Sequence, residues 1–158
     1  MTIPEASQRV VEAGRALGVE IDIHEFPEGT KTSADAAAAI GCQLSAIAKS
    51  IVLTLDDSEQ VVVFASGDTR IDVERLAAVA GAGSARRATL EEARAATGFA
   101  AGGTPPFGYP GPIRVFADRA LQRHEEVWAA GGTPTTVFPI RLEDLVSAAG
   151  AEWVEVSE

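Results

Sequence analysis

Residues 51–65 read IVLTLDDSEQVVVFA, and this stretch decides the fold class. Two apolar runs, 51–55 and 61–65, flank the polar tetrapeptide Asp56-Asp57-Ser58-Glu59. Short apolar runs bounded by turn residues read as strands, and a polar link of this length makes them a hairpin. Hairpin-like pairs recur further on. Val127-Trp128-Ala129 and residues 135–139 are strands around Gly131-Gly132. Val19, Ile21 and Ile23 alternate with Glu20, Asp22 and His24, a third strand signal. Residues 113–117 and 153–156 complete the set.

Helices fall between these strands. Thr2…Glu5, Thr32…Asp35 and Thr89…Glu92 have the spacing of N-terminal capping boxes, and Asp72 is a further cap. Gly18, Gly41, Gly81, Gly98 and Gly150 close the helices they open, together with one over residues 142–149. Residues 118–124 read as a turn or short helix. Helices and strands are interspersed without strict βαβ alternation. The expected class is α+β, a mixed and mostly antiparallel sheet with flanking helices. All 158 residues fit one domain, 1–158, with a single core.

Composition narrows the function. Hydrophobic content of 46% and charged content of 23% describe a globular protein. No run approaches the roughly 20 apolar residues of a membrane span, and the polar start MTIPEASQRVVEAG is not a signal peptide. Cys42 is the one cysteine, so no internal disulfide forms and a cytoplasmic location is expected. Formal net charge is -10, which argues against broad nucleic-acid binding such as coating DNA. A small basic mouth on an acidic body stays compatible with it.

Residues 98–112, GFAAGGTPPFGYPGP, hold five of the fifteen glycines and four of the eight prolines. Such a loop has a defined shape. It is either a stiffened connection or a site. In the second case Gly102 and Gly103 offer backbone donors beside a rigid wall of Pro105, Pro106 and Phe107. Lys49, set in Ala46-Ile47-Ala48-Lys49-Ser50-Ile51, either snorkels from the core edge or fixes a positive charge at a cleft. Asp68 reads as turn chemistry and Asp118 as a cap, and each could instead orient a ligand. Arg86-Arg87 is a solvated pair or a backbone contact for nucleic acid. His24, His124 and Cys42 show no metal-ligand spacing. No GxSxG, Walker A or GxGxxG pattern is present.

The ordered blocks Thr32…Ile40-Gly41, Ile47-Ala48-Lys49-Ser50-Ile51-Val52, Gly67-Asp68-Thr69-Arg70-Ile71-Asp72, Gly102-Gly103-Thr104-Pro105-Pro106-Phe107-Gly108, Val115-Phe116-Ala117-Asp118 and Ala130-Gly131-Gly132 resemble the YbaK/EbsC family. Its members are related to the editing domain inserted in bacterial prolyl-tRNA synthetases. The resemblance runs from about Ile21 to the end of the chain. It implies a compact α+β domain around a curved, largely antiparallel sheet. It also implies hydrolysis, in trans, of the ester joining a wrong amino acid to tRNA, with alanine or cysteine on the tRNA for proline as the type of substrate.

Carried over residue by residue, Lys49, Gly102 and Gly103 form the expected catalytic set. The expected substrate-binding set is His24, Phe26, Thr32, Ser66, Gly67, Asp68, Thr104, Pro105, Pro106, Phe107, Gly108 and Asp118. The implied partner is the acceptor end of mischarged tRNA, with an aminoacyl-tRNA synthetase as an open second. No cofactor or metal is called for, and neither a membrane nor DNA is an expected partner. Arg70, Arg75, Arg86, Arg87 and Arg123 are candidate tRNA contacts. A non-catalytic module that binds a small ligand or nucleotide on the same fold is the alternative.

Overall fold

The structure, a computed structural model, describes residues 3–158. The chain runs α1 (Glu5–Ala16), β1 (His24–Glu25), α2 (Ser33–Ile40), β2 (Ala48–Leu55), β3 (Glu59–Ser66), α3 (Val73–Ala80) and β4 (Ala85–Arg87). It continues through α4 (Leu90–Thr97), β5 (Val115–Asp118), β6 (Glu126–Ala130), β7 (Thr136–Arg141), α5 (Leu142–Ala149) and β8 (Glu152–Val154). Short 3-10 turns at Leu44–Ala46 and Arg119–Arg123 fill two connections.

The 51–65 hairpin is the centre of the molecule. β2 and β3 pair antiparallel from Leu55 opposite Glu59 to Ala48 opposite Ser66. The turn needs left-handed backbone, supplied by Asp56 and Asp57 at φ 49° and 56°. β4 adds antiparallel to the free edge of β2, but only along Leu53–Leu55. On the other side β5 and then β8 add in parallel, giving the order β4-β2-β3-β5-β8. A second sheet, β1-β7-β6, is antiparallel throughout. An isolated bridge between Ile47 and Trp128 links the two sheets.

Both faces of the central hairpin are covered, which explains its unbroken apolar runs. Val52, Val62 and Phe64 join one core cluster with Ala117, Leu121, Phe138 and Leu145. Ile51, Leu53, Leu55, Val61 and Val63 join the other with Leu76, Phe116 and Val156. Alternate residues thus face opposite cores, as the twofold period of a strand requires.

The expected α+β class and mixed, mostly antiparallel pairing are present. Thr32, Asp72 and Thr89 cap α2, α3 and α4, and Thr89 and Glu92 form the reciprocal box. Three local expectations shift. The proposed Thr2 cap lies outside the described residues, and α1 begins at Glu5 behind Pro4. Residues 19–23 form no ladder; Val19, Ile21 and Ile23 are partly buried against the first core, and pairing starts only at His24. β4 carries the sequence Ala-Arg-Arg, with no apolar alternation to announce it, and is held by its hydrogen bonds to β2.

Candidate functional site

Because β4 covers only one end of the β2 edge, residues 47–52 are left to line a cavity. Its volume is about 360 Å³. A second wall comes from Thr30 to Ser33 and Ala36, at the start of α2. A third comes from Arg87, Ala88, Leu90 and Ala93, where β4 passes into α4. The glycine-proline loop contributes Ala101, Gly102 and Thr104, and Trp128 to Ala130 with Val137 close the back.

Each wall is fixed by identifiable contacts. Arg86 Nη1 and Nη2 donate to Glu92 at 2.7 and 2.9 Å, and Arg86 Nε donates to Asp57 at 2.9 Å. Glu92 also accepts from the Thr89 N–H and from buried Thr54. The Arg86 guanidinium, more than any other contact, holds the Glu92 carboxyl down at about 2. These bonds clamp α4 to the central sheet and leave Arg87 at the cavity. The glycine-proline loop is seated by Tyr109, whose hydroxyl donates to Pro105 O at 2.7 Å. Burial pushes the Tyr109 phenol up, with Ser50 of β2 opposing the shift.

Lys49 lines the cavity, and its ammonium donates to Thr69 O at 2.7 Å. Its pKa is lowered, first by burial and next by Arg87, with Arg70 adding to the effect and Asp68 opposing it. The lowering marks a crowd of positive charge. Lys31 and Lys49, the two lysines of the chain, both line this cavity, as does Arg87. None has a carboxylate within 4.0 Å among the described residues. Not one of the 23 carboxylates and neither histidine lines it. An acidic protein thus keeps a cavity whose only charges are positive.

Of the residues expected at the site, Lys49, Thr32, Gly102 and Thr104 come together here. Among the described residues the N–H groups of Gly102 and Thr104 have no acceptor, so neither is used within the fold. Gly103 is different. Its N–H bonds to Ala100 O at 3.3 Å, and its Cα lies so close to Thr133 that an added Cβ would be 2.5 Å from the Thr133 carbonyl carbon. Gly103 is the contact that lets the loop pack on the β6–β7 connection. Pro105, Pro106 and Phe107 are buried beneath the loop, with Phe107 against Phe138 at 6.1 Å, and Gly108 is exposed outside the cavity.

The other expected residues do not line the cavity. His24 bonds to Asp22 at 3.0 Å and meets the Trp128 ring edge-on at 5.1 Å. Phe26 packs behind α2 with Ala36, Ala37 and Ile47. Ser66 Oγ lies 2.7 Å from Ser45 O and 2.9 Å from Asp68 Oδ1, and accepts from Arg123. Asp68 accepts from Arg123 at 2.7 and 3.0 Å, and this pairing, opposed by partial burial, holds its carboxyl down at about 2. Gly67 is pressed against Leu44 O, where a Cβ would sit at 2.4 Å. This turn reaches the cavity only through Thr69 O and Lys49. Asp118 is buried and accepts from the Ala120, Val156 and Ser157 N–H groups, so it ties β5 to the chain end. Sequence reading missed Lys31, Trp128 and Leu90; an unpaired lysine three residues before Ala34 carries no signal of its own.

The aminoacyl-tRNA editing domain model matches residues 27–148. The chain belongs to the aminoacyl-tRNA editing domain family. A crystal structure of a candidate trans-editing enzyme for prolyl tRNA synthetase is 34% identical with a TM-score of 0.92, covering 99% of both chains. That of the hypothetical protein APE2540 is 30% identical with a TM-score of 0.87, over 95% of this chain and 99% of the other. The uncharacterized protein YwhH of Bacillus subtilis (strain 168) is 30% identical over 138 residues, 87% of each chain. The editing-domain match spans every wall of the cavity. Among the described residues no group of three or more His, Cys, Asp or Glu could hold a metal ion, and no helix is long and apolar enough to cross a membrane.

Proposed function

We propose that this editing-domain protein is a deacylase that hydrolyses the ester between a mischarged amino acid and the terminal ribose of tRNA. One observation carries the reading. In a chain of net charge -10, the cavity gathers both lysines and Arg87 and excludes every carboxylate. Such a cavity suits a phosphorylated ligand. Its apolar lining, Ile47, Val52, Ala129 and Val137, suits a small uncharged side chain, and alanine or cysteine on the tRNA for proline fits that description.

The chemistry follows from what the cavity holds. An aminoacyl ester is activated, so placement of water and stabilisation of the oxyanion provide most of what is required. The Gly102 and Thr104 N–H groups would donate to the carbonyl oxygen as it becomes an oxyanion. Lys49 and Arg87 would hold the adjacent phosphate. No histidine or carboxylate lines the cavity to act as a base, so the neighbouring ribose hydroxyl would relay the proton, taking one from the attacking water as it gives its own to the departing ribose oxygen. The water oxygen bonds to the carbonyl carbon, the carbon–oxygen bond to the ribose breaks, and the ribose oxygen leaves with a proton. The free amino acid and intact tRNA are the products.

The alternative, a non-catalytic module for a nucleotide or other small anion, draws on the same cationic lining. A deacylation assay over a panel of mischarged tRNAs separates the two. The deacylase reading expects at least one aminoacyl-tRNA, the tRNA for proline carrying alanine or cysteine foremost, to lose its amino acid faster than in buffer. Binding without any acceleration would favour the module.

A further inference from the structure

Lys31 stands apart from the other cations of the cavity. It enters from the segment before α2, whereas Lys49 and Arg87 come from the central sheet. Lys31 is exposed as a residue, yet its stem is laid along the glycine-proline loop. A Cβ built on Gly102 would be 2.8, 3.6 and 3.5 Å from Lys31 Cγ, Cδ and Cε. Gly102 has φ 86°, where a side chain is strained in any case, so the residue that shapes the loop also clears the path of the lysine. No carboxylate among the described residues neutralises Lys31. A lysine in an acidic protein that is docked along its stem and unpaired at its head is placed to meet an external anion.

We propose that Lys31 is a positioning residue that contacts a backbone phosphate of the single-stranded acceptor end, so that the cavity grips the strand from two walls. Lys49 and Arg87 take one side and Lys31 the other. The choice of RNA rests on the deacylase reading above, while the anion contact does not.

The test is binding of an uncharged RNA hairpin with an unpaired acceptor tail, measured over a series of salt concentrations. Lys31→Gln should bind roughly threefold to fivefold more weakly at low salt. Its plot of log affinity against log salt should be shallower by about 0.7, the value of one phosphate contact on a single strand. Lys31→Arg should restore both. In deacylation, the ratio of kcat/KM for aminoacylated RNA to that for phosphate-free aminoacyl-adenosine should fall by a similar factor. Equal affinity and equal slope for wild type and Lys31→Gln would overturn the proposal, as would an unchanged ratio. If wild type hydrolyses neither substrate while Lys31→Gln still flattens the salt plot, the anion contact stands and the deacylase reading falls.

Discussion

Lys49 joins two parts of the molecule that the sequence keeps apart. Its ammonium is anchored to the Thr69 carbonyl, while its neighbours Arg87 and Arg70 concentrate positive charge around it. Removing it should leave the fold intact, because the side chain is half-buried at a strand edge and carries no core packing. Lys49→Ala is expected to lower kcat/KM for deacylation about tenfold or more, the scale of a lost charged hydrogen bond. Circular dichroism should show an unchanged fold. Asp68 gives a prediction of the opposite kind, on stability and not on activity. Its folded pKa of about 2 lies below its ordinary 3.8, so its pairing with Arg123 stabilises the fold at pH values above 3.8. That contribution fades as pH falls from 3.8 toward 2. Asp68→Asn should therefore be less stable than wild type at neutral pH, and the gap should close in that acid window. Denaturant titrations at several pH values read it.

The glycine-proline loop is built less like a ligand-binding flap than like a fitted plug. Phe107 and the two prolines before it are buried, Tyr109 pins Pro105 from within, and Gly103 lies flat on Thr133. Gly103→Ala must push backbone against backbone and is expected to cost about 1–3 kcal/mol of stability. Tyr109→Phe leaves the Pro105 carbonyl without its donor and should cost about 1 kcal/mol. Thermal unfolding measures both. The elements themselves were largely legible. The Asp56-Asp57-Ser58-Glu59 link marks the hairpin, and the threonine and aspartate caps mark three helices to the residue. β4 was not, because Ala-Arg-Arg is recruited to a strand by the open edge of β2 and not by any pattern of its own. Residues 19–23 alternate as a strand should, yet they find no ladder partner, and alternation alone cannot supply one.

At the scale of the whole molecule, charge is divided between body and cavity. Of the arginines named as candidate tRNA contacts, Arg75, Arg86 and Arg123 are paired with Asp72, Asp57 and Glu92, and Asp68. Arg87 and Arg70 are left without a carboxylate partner among the described residues, and both act on Lys49. This sorting was invisible in the sequence, where all five are simply arginines in an acidic chain. Lys49 and Gly102, both expected from the resemblance, line one cavity. The resemblance could not tell that Gly103 and Phe107 seat the loop or that Asp118 ties β5 to Val156 and Ser157, since close packing and long-range caps leave no local mark. One consequence is a strong salt dependence despite the net charge of -10. Deacylation at limiting substrate should slow steeply as salt rises, because the cavity cations and not the overall charge meet the phosphates. A rate that rises with salt would mean that repulsion by the acidic body dominates. The most direct measurement is a nuclear magnetic resonance titration of the nitrogen-labelled protein with a non-hydrolysable amide analogue of aminoacyl-adenosine monophosphate. The amide signals of Gly102 and Thr104 should shift together with those around Lys49 and Arg87. Shifts absent from Gly102 and Thr104, and centred instead on the Ser66–Asp68–Arg123 cluster, would contradict the assignment of the cavity as the site of ester recognition.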